Sequence, residues 1–359
     1  MLRTALIGLG KMGISHLAMF RAHPEVEVVA ICDPSKIVAS SVAQLTGLKA
    51  YGDYRDLFNR EKLDAIVVAT PSRLHFDIVR QALELGIHVF CEKPFCLDPE
   101  QGQVLAEMAQ AKGLVGQVGY HFRFVGSFQE MKRLIGAGAI GEITNIRAEA
   151  YGPVVLRPKG STWRSSKTEG GGCLYDYASH ALDLMNYMVG PPSDVKGTVI
   201  NQIFSRDVDD EVYSTLVYDS GMCGQLLANW SDESFRKMSM KINVWGKAGR
   251  IQADRQEIQI FTRDRDLATA NGLQLGWNVK YTTELTQPVW YYLRGEEYSA
   301  QVDAFVMAAK GDASRNISSF SDAVKTDRTI VHLLQDNNQE KAVRKDTSGL
   351  LRKIFRGDR

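Results

Sequence analysis

The sequence predicts an α/β protein in which a doubly wound parallel sheet is followed by an α+β domain with a large open, mostly antiparallel sheet. Strand and helix patterns alternate over the first third of the chain, and such alternation implies parallel strands joined by right-handed crossovers. After about residue 122, β-rich runs follow one another across short turns, and runs joined so closely must pair antiparallel. The length of 359 residues suits about two domains.

Short apolar runs predict the strands of the first sheet. Residues 65–69 read AIVVA, a continuous apolar run that is typical of a strand covered on both faces. Gly47 and Gly86 stand where helices are expected to end, and Asp98 followed by Pro99 is a typical helix start. The predicted strands are 4–7, 26–32, 65–69, 88–91 and 114–118, and the predicted helices are 12–22, 35–46, 73–85 and one that begins at Asp98.

The second part combines helices with a series of strands. The predicted helices are 124–135, 174–188, 297–310 and 320–335, and the predicted strands are 144–151, 195–204, 212–218, 222–230, 238–245 and 257–262. We therefore expect a first domain over 1–122, a second over 123–340 and a basic tail over 341–359. The tail holds seven Lys/Arg and two Asp, a net charge of +5. It is interpreted as a frayed or subunit-packed terminus, or as a helix that binds a partner subunit or a membrane surface.

The composition excludes several classes of protein. Hydrophobic residues make up 44% and charged residues 24%, which is ordinary for a globular chain and not for a disordered chain or a coiled coil. The net charge of +1 gives no overall electrostatic attraction to nucleic acid or to an anionic membrane. No apolar run reaches the ~18–20 residues of a membrane span, and the strand-like start does not resemble a secretory signal.

Cysteine usage indicates the compartment. The number of cysteines is odd and no CxxC pair is present; they are Cys32, Cys91, Cys96, Cys173 and Cys223. This pattern predicts reduced thiols in the cytoplasm. Since no set of His and Cys has ligand spacing, we expect no metal site.

The first motif is a glycine-rich turn that predicts dinucleotide binding. Residues 8–13 read GLGKMG, follow a predicted strand and open a predicted helix, and Asp33 ends the next strand 20 residues after Gly13. This is the fingerprint of a Rossmann domain: glycines bring the backbone to the pyrophosphate, and the acidic residue binds the ribose hydroxyls. Asp33 would repel a 2′-phosphate, so NAD is expected in preference to NADP. The candidate cofactor residues here are Gly8, Gly10, Lys11, Met12, Gly13 and Asp33.

Two further motifs follow the next two strands of the first sheet. Residues 69–75 read ATPSRLH, and residues 92–94 read EKP directly after the apolar strand 88–91. Ligands of open α/β sheets bind at the carboxyl ends of the strands. A Glu-Lys pair at this edge is therefore a candidate functional pair, and the alternative is an exposed salt bridge that caps the strand.

A fourth motif lies on the predicted helix 174–188. Three glycines at 170–172 precede it, and Asp176, His180, Asp183 and Tyr187 follow at steps of 4, 3 and 4, which predicts one polar stripe. A histidine next to a carboxylate has its tautomer fixed and its pKa tuned, as general acid–base catalysis requires. The alternative is a structural histidine.

The segment before this helix is basic. Residues 154–169 hold Arg157, Lys159, Arg164 and Lys167 against a single acid, Glu169. One interpretation is a clamp for an anionic substrate such as a sugar acid or a nucleotide-sugar diphosphate. The other is a solvated loop in which only Arg164 touches the cofactor.

Taken together, these motifs resemble the glucose-fructose oxidoreductase / inositol dehydrogenase / rhizopine catabolism (Gfo/Idh/MocA) family of NAD(P)-dependent oxidoreductases. The resemblance covers nearly the whole chain. Its further parts are GYHFRF at 119–124, GAGAIGEI at 136–143, Trp163-Arg164 before the three glycines, the turn at 246–249 and the final helical segments.

The resemblance implies roles for individual residues. Lys93 would contact the substrate hydroxyl and the nicotinamide, and its bond to Pro94 is often cis in this family. His180 would be the general acid/base, and Asp176 would bind substrate and orient His180. Tyr120 would line the nicotinamide or sugar site. The remaining cofactor contacts would come from Thr70, Pro71, His75, Glu92, Trp163 and Arg164.

The expected function is hydride transfer between NAD and a secondary alcohol or ketone of a sugar, cyclitol or sugar derivative. One alternative is a nucleotide-sugar dehydrogenase of surface-polysaccharide synthesis, which the basic loop motivates. Another is a dinucleotide-binding sensor without catalysis, but the presence of both Lys93 and His180 favours an enzyme. Because the β-rich part has too few helices to cover both faces of its sheet, we expect a homodimer or homotetramer.

Overall fold

The computed structural model describes residues 1–154 and 163–356, and it describes side chains throughout these ranges except at Trp163 and 342–356. Arg157 and Lys159 of the predicted basic loop, the side chain of Trp163 and the side chains of the predicted tail after Lys341 therefore lie outside the described residues.

The first sheet has six parallel strands in the order β3-β2-β1-β4-β5-β6. They are β1 (Leu2–Ile7), β2 (Val26–Cys32), β3 (Lys49–Tyr51), β4 (Ala65–Val68), β5 (His88–Cys91) and β6 (Gly116–Val118). The helices between them are α1 (Lys11–Ala22), α2 (Lys36–Thr46), α3 (Tyr54–Arg60), α4 (His75–Glu84) and α5 (Pro99–Ala111). The carboxyl ends of β1, β4 and β5 thus lie side by side, and the predicted motifs follow each of them.

The second sheet has eight strands in the order β14-β13-β12-β11-β7-β10-β9-β8. Neighbouring strands are antiparallel except for the parallel pair β7 and β10. The strands are β7 (Ile143–Tyr151), β8 (Asp194–Asn201), β9 (Glu211–Val217), β10 (Cys223–Asn229), β11 (Ser239–Gly246), β12 (Gly249–Ala253), β13 (Glu257–Thr262) and β14 (Gly276–Tyr281). The predicted pair of parallel and mostly antiparallel sheets is confirmed.

Helices cover one face of this sheet and return to the first domain. They are α6 (Gly126–Gly136), α7 (Ser179–Val189), α8 (Arg265–Ala270), α9 (Thr282–Leu285), α10 (Glu296–Ala309) and α11 (Phe320–Arg356). Helix α10 buries Val302, Phe305 and Val306 against strands of the first sheet. The range expected for the second domain therefore contains a helix that packs on the first sheet.

Several elements differ from the sequence predictions. The short elements β3, α3, α8 and α9, the inner strand β12 and the edge strand β14 carry no strong apolar period and were not predicted. Helix α11 runs on from the predicted end at 335 to Arg356 without a break, so the backbone of most of the predicted tail continues a helix. No described helix is long and apolar enough to cross a membrane.

Candidate active site

The glycine turn between β1 and α1 has the shape that the fingerprint requires. Gly8 has φ +95°, and a Cβ there would lie 2.6 Å from the carbonyl oxygen of Ala69. A Cβ on Gly13 would overlap the carbonyl oxygen of Gly8, whereas a Cβ on Gly10 would meet no atom within 4 Å. No side chain caps the N-terminus of α1 at Gly10, and a helix N-terminus of this kind is a typical phosphate-binding site.

Asp33 fixes this turn from the end of β2. One carboxylate oxygen accepts a hydrogen bond from the Leu9 N–H at 2.8 Å, and the other accepts one from the Ser35 N–H at 2.9 Å. Asp33 is partly exposed, and an ionised carboxylate has about four acceptor positions. It can therefore hold the loop and still accept hydrogen bonds from ribose hydroxyls.

The segments after β4 and β5 are joined by His75. This buried ring places Nδ1 3.1 Å and 3.0 Å from the carbonyl oxygens of Pro94 and Phe95, and Nε2 3.0 Å from that of Thr70. Burial lowers the pKa of His75. Because backbone carbonyl oxygens contact both ring nitrogens, His75 holds the segments after β4 and β5 in place from the side that faces away from the cleft. The Thr70 hydroxyl is buried and has no partner among the described residues, as a group that awaits a ligand would be.

Lys93 and Asp176 join the two domains. The Lys93–Pro94 bond is cis, as the resemblance implies. The Lys93 Nζ donates to Oδ1 of Asp176 at 2.6 Å and to the Asp176 carbonyl oxygen at 3.0 Å. The Arg164 Nε donates to the other oxygen, Oδ2, at 2.7 Å. Burial opposes ionisation of Asp176, but the charges of Lys93 and Arg164 outweigh it and lower its pKa to about 2.

An irregular helical turn presents Asp176 to the cleft. Residues Leu174–Ala178 form a π-helical turn before α7, and such turns are frequent at functional sites. The Asp209 carboxylate accepts a hydrogen bond from the Leu174 N–H at 2.6 Å and lies against Gly172, which has φ +109°. Asp209 thus explains why a glycine precedes this turn. Asp209 was not among the predicted site residues, because it lies more than 30 residues further along the chain.

His180 lies in an aromatic pocket next to this pair. The ring centroids of Tyr120, His121 and Phe122 are 5.8, 4.9 and 5.1 Å from that of His180. Tyr120 is fully buried, and its hydroxyl has no partner among the described residues. Burial, reinforced by the charge of Lys93, holds the pKa of His180 well below its ordinary value.

The expected orientation of His180 by Asp176 is wrong. Both oxygens of Asp176 accept hydrogen bonds from Lys93 and Arg164, and Nδ1 of His180 is buried with no partner in the described part of the chain. The expected polar stripe is also not one functional unit. Asp183, in its second half, forms a buried ion pair with Arg123 through two hydrogen bonds of 2.7 and 2.8 Å. Tyr187 lies under that guanidinium, so the second half of the stripe is structural.

The predicted site residues of the two domains meet where the ends of β5 and β6 face the start of α7. Lys93, Asp176 and His180 come together, while the glycine turn, Asp33 and Thr70 border the adjacent edge of the first sheet. Lys11 is exposed and Met12 partly buried at the start of α1. In addition, Arg73 of the first domain pairs with Glu169 at 2.6 Å. Among the described side chains, no three His, Cys, Asp or Glu residues cluster closely enough to hold a metal ion.

Comparisons with known proteins agree with this architecture. The family model of the oxidoreductase family with an NAD-binding Rossmann fold matches residues 2–120, and that of the GFO/IDH/MocA C-terminal domain matches residues 128–252. A putative UDP-kanosamine synthase oxidoreductase subunit of Amycolatopsis mediterranei is 31% identical over 270 residues, which are 69% of this chain and 73% of that protein. The chain belongs to the Gfo/Idh/MocA family of oxidoreductases.

Other members show the range of the family. The scyllo-inositol 2-dehydrogenase (NAD(+)) of Bacillus subtilis is 28% identical over 63% of this chain and 67% of that enzyme. The structure of levoglucosan dehydrogenase in complex with NADH and levoglucosan matches with a TM-score of 0.80 and 23% identity, over 94% of this chain and 98% of that chain. This Gfo/Idh/MocA protein therefore has the fold of these dehydrogenases, and its first domain is an NAD-binding Rossmann domain.

Proposed function

We propose that this protein oxidises a secondary alcohol of a sugar or cyclitol with NAD, or reduces the corresponding ketone. The observation that carries the proposal is the 2.6 Å ion pair between Lys93 Nζ and Asp176 Oδ1, with His180 in the adjacent pocket. A cation and a histidine contributed by different domains then border one cleft at the cofactor edge of the first sheet. Relatives named as dehydrogenases of D-glucosides, scyllo-inositol and levoglucosan support the substrate class.

The cleft fits NAD. The open space over Gly10 and the uncapped N-terminus of α1 suit the pyrophosphate, and Asp33 suits a ribose without a 2′-phosphate. The buried, unpartnered hydroxyl of Thr70 suits a polar contact nearer the nicotinamide, together with Pro71, Glu92 and Lys93. When bound, NAD supplies the acceptor for the hydride that leaves the substrate carbon.

The residues of this chain supply proton transfer and charge stabilisation. In the oxidation direction, His180 takes the proton of the substrate hydroxyl, and its lowered pKa keeps it in the neutral form that a base requires. The Lys93 ammonium stabilises the negative charge that develops on the substrate oxygen. Asp176 holds the Lys93 side chain in place through this ion pair, and one of its oxygens is a candidate acceptor for a second hydroxyl of the substrate.

A panel assay tests this proposal. Purified protein is incubated with NAD and a series of hexoses, glycosides, inositols and sugar acids, and the absorbance of reduced cofactor is followed. Turnover of at least one sugar or cyclitol is expected. If NAD binds, but the panel does not react with NAD and the corresponding keto compounds do not react with NADH, the dehydrogenase proposal is wrong, and a dinucleotide-binding sensor becomes the better explanation.

A second candidate is oxidation of a nucleotide sugar. The similarity to a UDP-kanosamine synthase subunit and the partly exposed guanidinium of Arg164 at the cleft favour it, since arginine binds phosphate and carboxylate groups well. Including UDP-hexoses and UDP-uronates in the same panel separates the two candidates by their relative kcat/KM.

We also infer a cytoplasmic homo-oligomer. All five cysteines are free, and four of them are buried, which suits a reducing compartment. The exposed aromatic side chains on edge strand β14 support association through the open face of the second sheet.

A further inference from the structure

A buried histidine connects the glycine-turn helix to the catalytic lysine. His16 lies on α1 with no exposed surface, and its Nε2 is 2.5 Å from Oε1 of Glu92. The other carboxylate oxygen of Glu92 accepts a hydrogen bond from the Lys93 N–H at 3.2 Å. His16 and Glu92 therefore form a continuous polar chain that runs from α1 to the residue proposed to stabilise the substrate oxygen.

The surroundings of His16 leave Glu92 as its polar partner. The ring packs between Phe20 and Phe90, with centroid separations of 6.3 and 5.0 Å, and its Nδ1 has no partner in the described residues. An apolar side chain would fill this space without the desolvation that an imidazole costs. The contact with Glu92 is thus the physical reason for a histidine at this position.

Glu92 is itself held in one place. Its side chain is only 13% exposed, and a Cβ on Gly119 would lie 3.1 Å from its carboxylate, so Gly119 leaves the room that this carboxylate occupies. Burial opposes its ionisation, but the contact with His16 and the charge of Lys93 outweigh burial and lower the pKa of Glu92. The structure thus keeps a fixed negative charge at the end of β5, directly before Lys93.

We propose that His16 is a positioning residue that fixes the Glu92 carboxylate beside the nicotinamide, where its charge favours binding of NAD⁺ over NADH. The proposal rests on the proposed function, which places Glu92 and Lys93 at the nicotinamide end of the cleft. The oxidised nicotinamide carries a positive charge and the reduced form does not, so a nearby carboxylate stabilises the oxidised form selectively. At the distances of a shared site, a partly buried charge pair of this kind changes an affinity ratio by about tenfold.

Cofactor binding tests this without knowledge of the substrate. Dissociation constants for NAD⁺ and for NADH are measured by calorimetry on the wild type, Glu92→Gln, His16→Leu and the double variant. Glu92→Gln shifts the affinity ratio about tenfold toward NADH. His16→Leu shifts it in the same direction by roughly three- to tenfold, and the double variant shifts it no further than Glu92→Gln alone.

Two variants distinguish a positioning role of His16 from a role in packing alone. His16→Gln, whose amide N–H can still donate to Glu92, restores most of the wild-type ratio. His23→Leu is the matched control, because His23 is another buried histidine, directly after the end of α1, with its Nε2 3.3 Å from Oδ1 of Asp303. It lowers the melting temperature and leaves the affinity ratio unchanged.

Three results overturn the proposal. In the first, His16→Leu weakens the binding of NAD⁺ and NADH equally. In the second, His16→Leu shifts the affinity ratio as much in the Glu92→Gln background as in the wild type. In the third, Glu92→Gln leaves the affinity ratio unchanged. The third result overturns the proposal even if His16→Leu does not fold. A wild type that binds neither NAD⁺ nor NADH is a different outcome, which contradicts the proposed function itself.

Discussion

The Nζ of Lys93 lies 2.6 Å from Oδ1 of Asp176, and this ion pair spans the cleft between the parallel sheet and the helix of the second domain. Both side chains are nearly buried, with 11% and 6% exposed. Breaking a buried pair leaves a charge without its partner, which is strongly unfavourable. The pair therefore keeps Lys93 pointed at the position where the substrate oxygen is expected.

Replacing Lys93 by Met is expected to lower turnover by roughly 10²-fold or more, because the cation that stabilises the developing oxyanion is lost. NAD still binds, since the glycine turn and Asp33 are unchanged. Steady-state kinetics on the substrate found by the panel, with calorimetric titration of NAD, measure both effects. Lys49→Met is the matched control, because Lys49 pairs with Glu61 away from the cleft. Near-normal turnover of Lys93→Met contradicts its assignment.

His180→Asn is expected to lower turnover by ~10²–10⁴-fold, the range for loss of a general acid/base. The double variant with Lys93→Met is expected to be much less than multiplicatively worse, since both groups act on the same hydroxyl. His121→Asn provides the comparison, because His121 contacts the His180 ring and has no assigned proton transfer. A loss in His121→Asn as large as in His180→Asn argues that the aromatic pocket, and not the base, is being measured.

The pH profile of the oxidation reaction follows from the environment of His180. Burial and the nearby charge of Lys93 hold its pKa well below the ordinary value, so the neutral base persists as the pH falls. The acidic limb of the kcat/KM profile is therefore expected below the ordinary histidine value of about 6.5. Lys93→Met removes one of the charges, and the limb moves toward higher pH in that variant. If the acidic limb lies at the same pH in Lys93→Met as in the wild type, a group other than His180 is responsible for it.

Local sequence patterns predicted the parts of the site that depend on short stretches of chain. The glycine turn, Asp33 and Lys93 each follow a strand whose apolar run is visible in the sequence, and parallel pairing brings the ends of those strands together. Asp176 and His180 were identified because both lie on the predicted helix 174–188.

Long-range contacts explain what the sequence did not predict. The partner of Asp176 was expected to be His180 from their spacing on a helix, but Lys93, 83 residues earlier, occupies that carboxylate. Asp209 and the pair of His16 with Glu92 were missed for the same reason, since the partners are 35 and 76 residues apart. The spacing of residues in a sequence indicates which of them share one face of a helix. It does not indicate which charged residue from a distant part of the chain contacts that face.

Asp33→Ser is expected to weaken NAD binding and to reduce discrimination against NADP. The variant loses the ribose acceptor and the charge that repels a 2′-phosphate, and it also loosens the turn that Asp33 holds through Leu9. Calorimetric titrations with NAD and NADP measure the ratio. Asp64→Ser is the control, because Asp64 accepts a hydrogen bond from the Arg3 N–H at the opposite end of the sheet. Tighter binding of NADP than NAD by the wild type contradicts the role of Asp33.

Asp176 is expected to contribute to acid stability. Its pKa is lowered from 3.8 to about 2 in the folded protein, so its stabilisation is fully present above the unfolded value and is lost as the pH falls from about 4 to about 2. The shift corresponds to roughly 2 kcal/mol. The difference in unfolding free energy between wild type and Asp176→Asn should shrink by that amount over this range. A constant difference for Asp176→Asn contradicts the ion-pair account.

The open face of the second sheet is expected to form the interface of a homodimer or homotetramer. Trp277, Val279 and Tyr281 alternate along edge strand β14 with 58%, 46% and 51% of their surfaces exposed, and an apolar row of this size is a typical association site. Placing two carboxylates in such an interface is unfavourable, so Trp277→Glu combined with Val279→Glu should lower the mass found by light scattering at micromolar concentration. Leu45→Glu, at an exposed apolar residue of the first domain, should leave the mass unchanged. A monomeric wild type contradicts association, and an oligomer that the double variant leaves intact places the interface elsewhere.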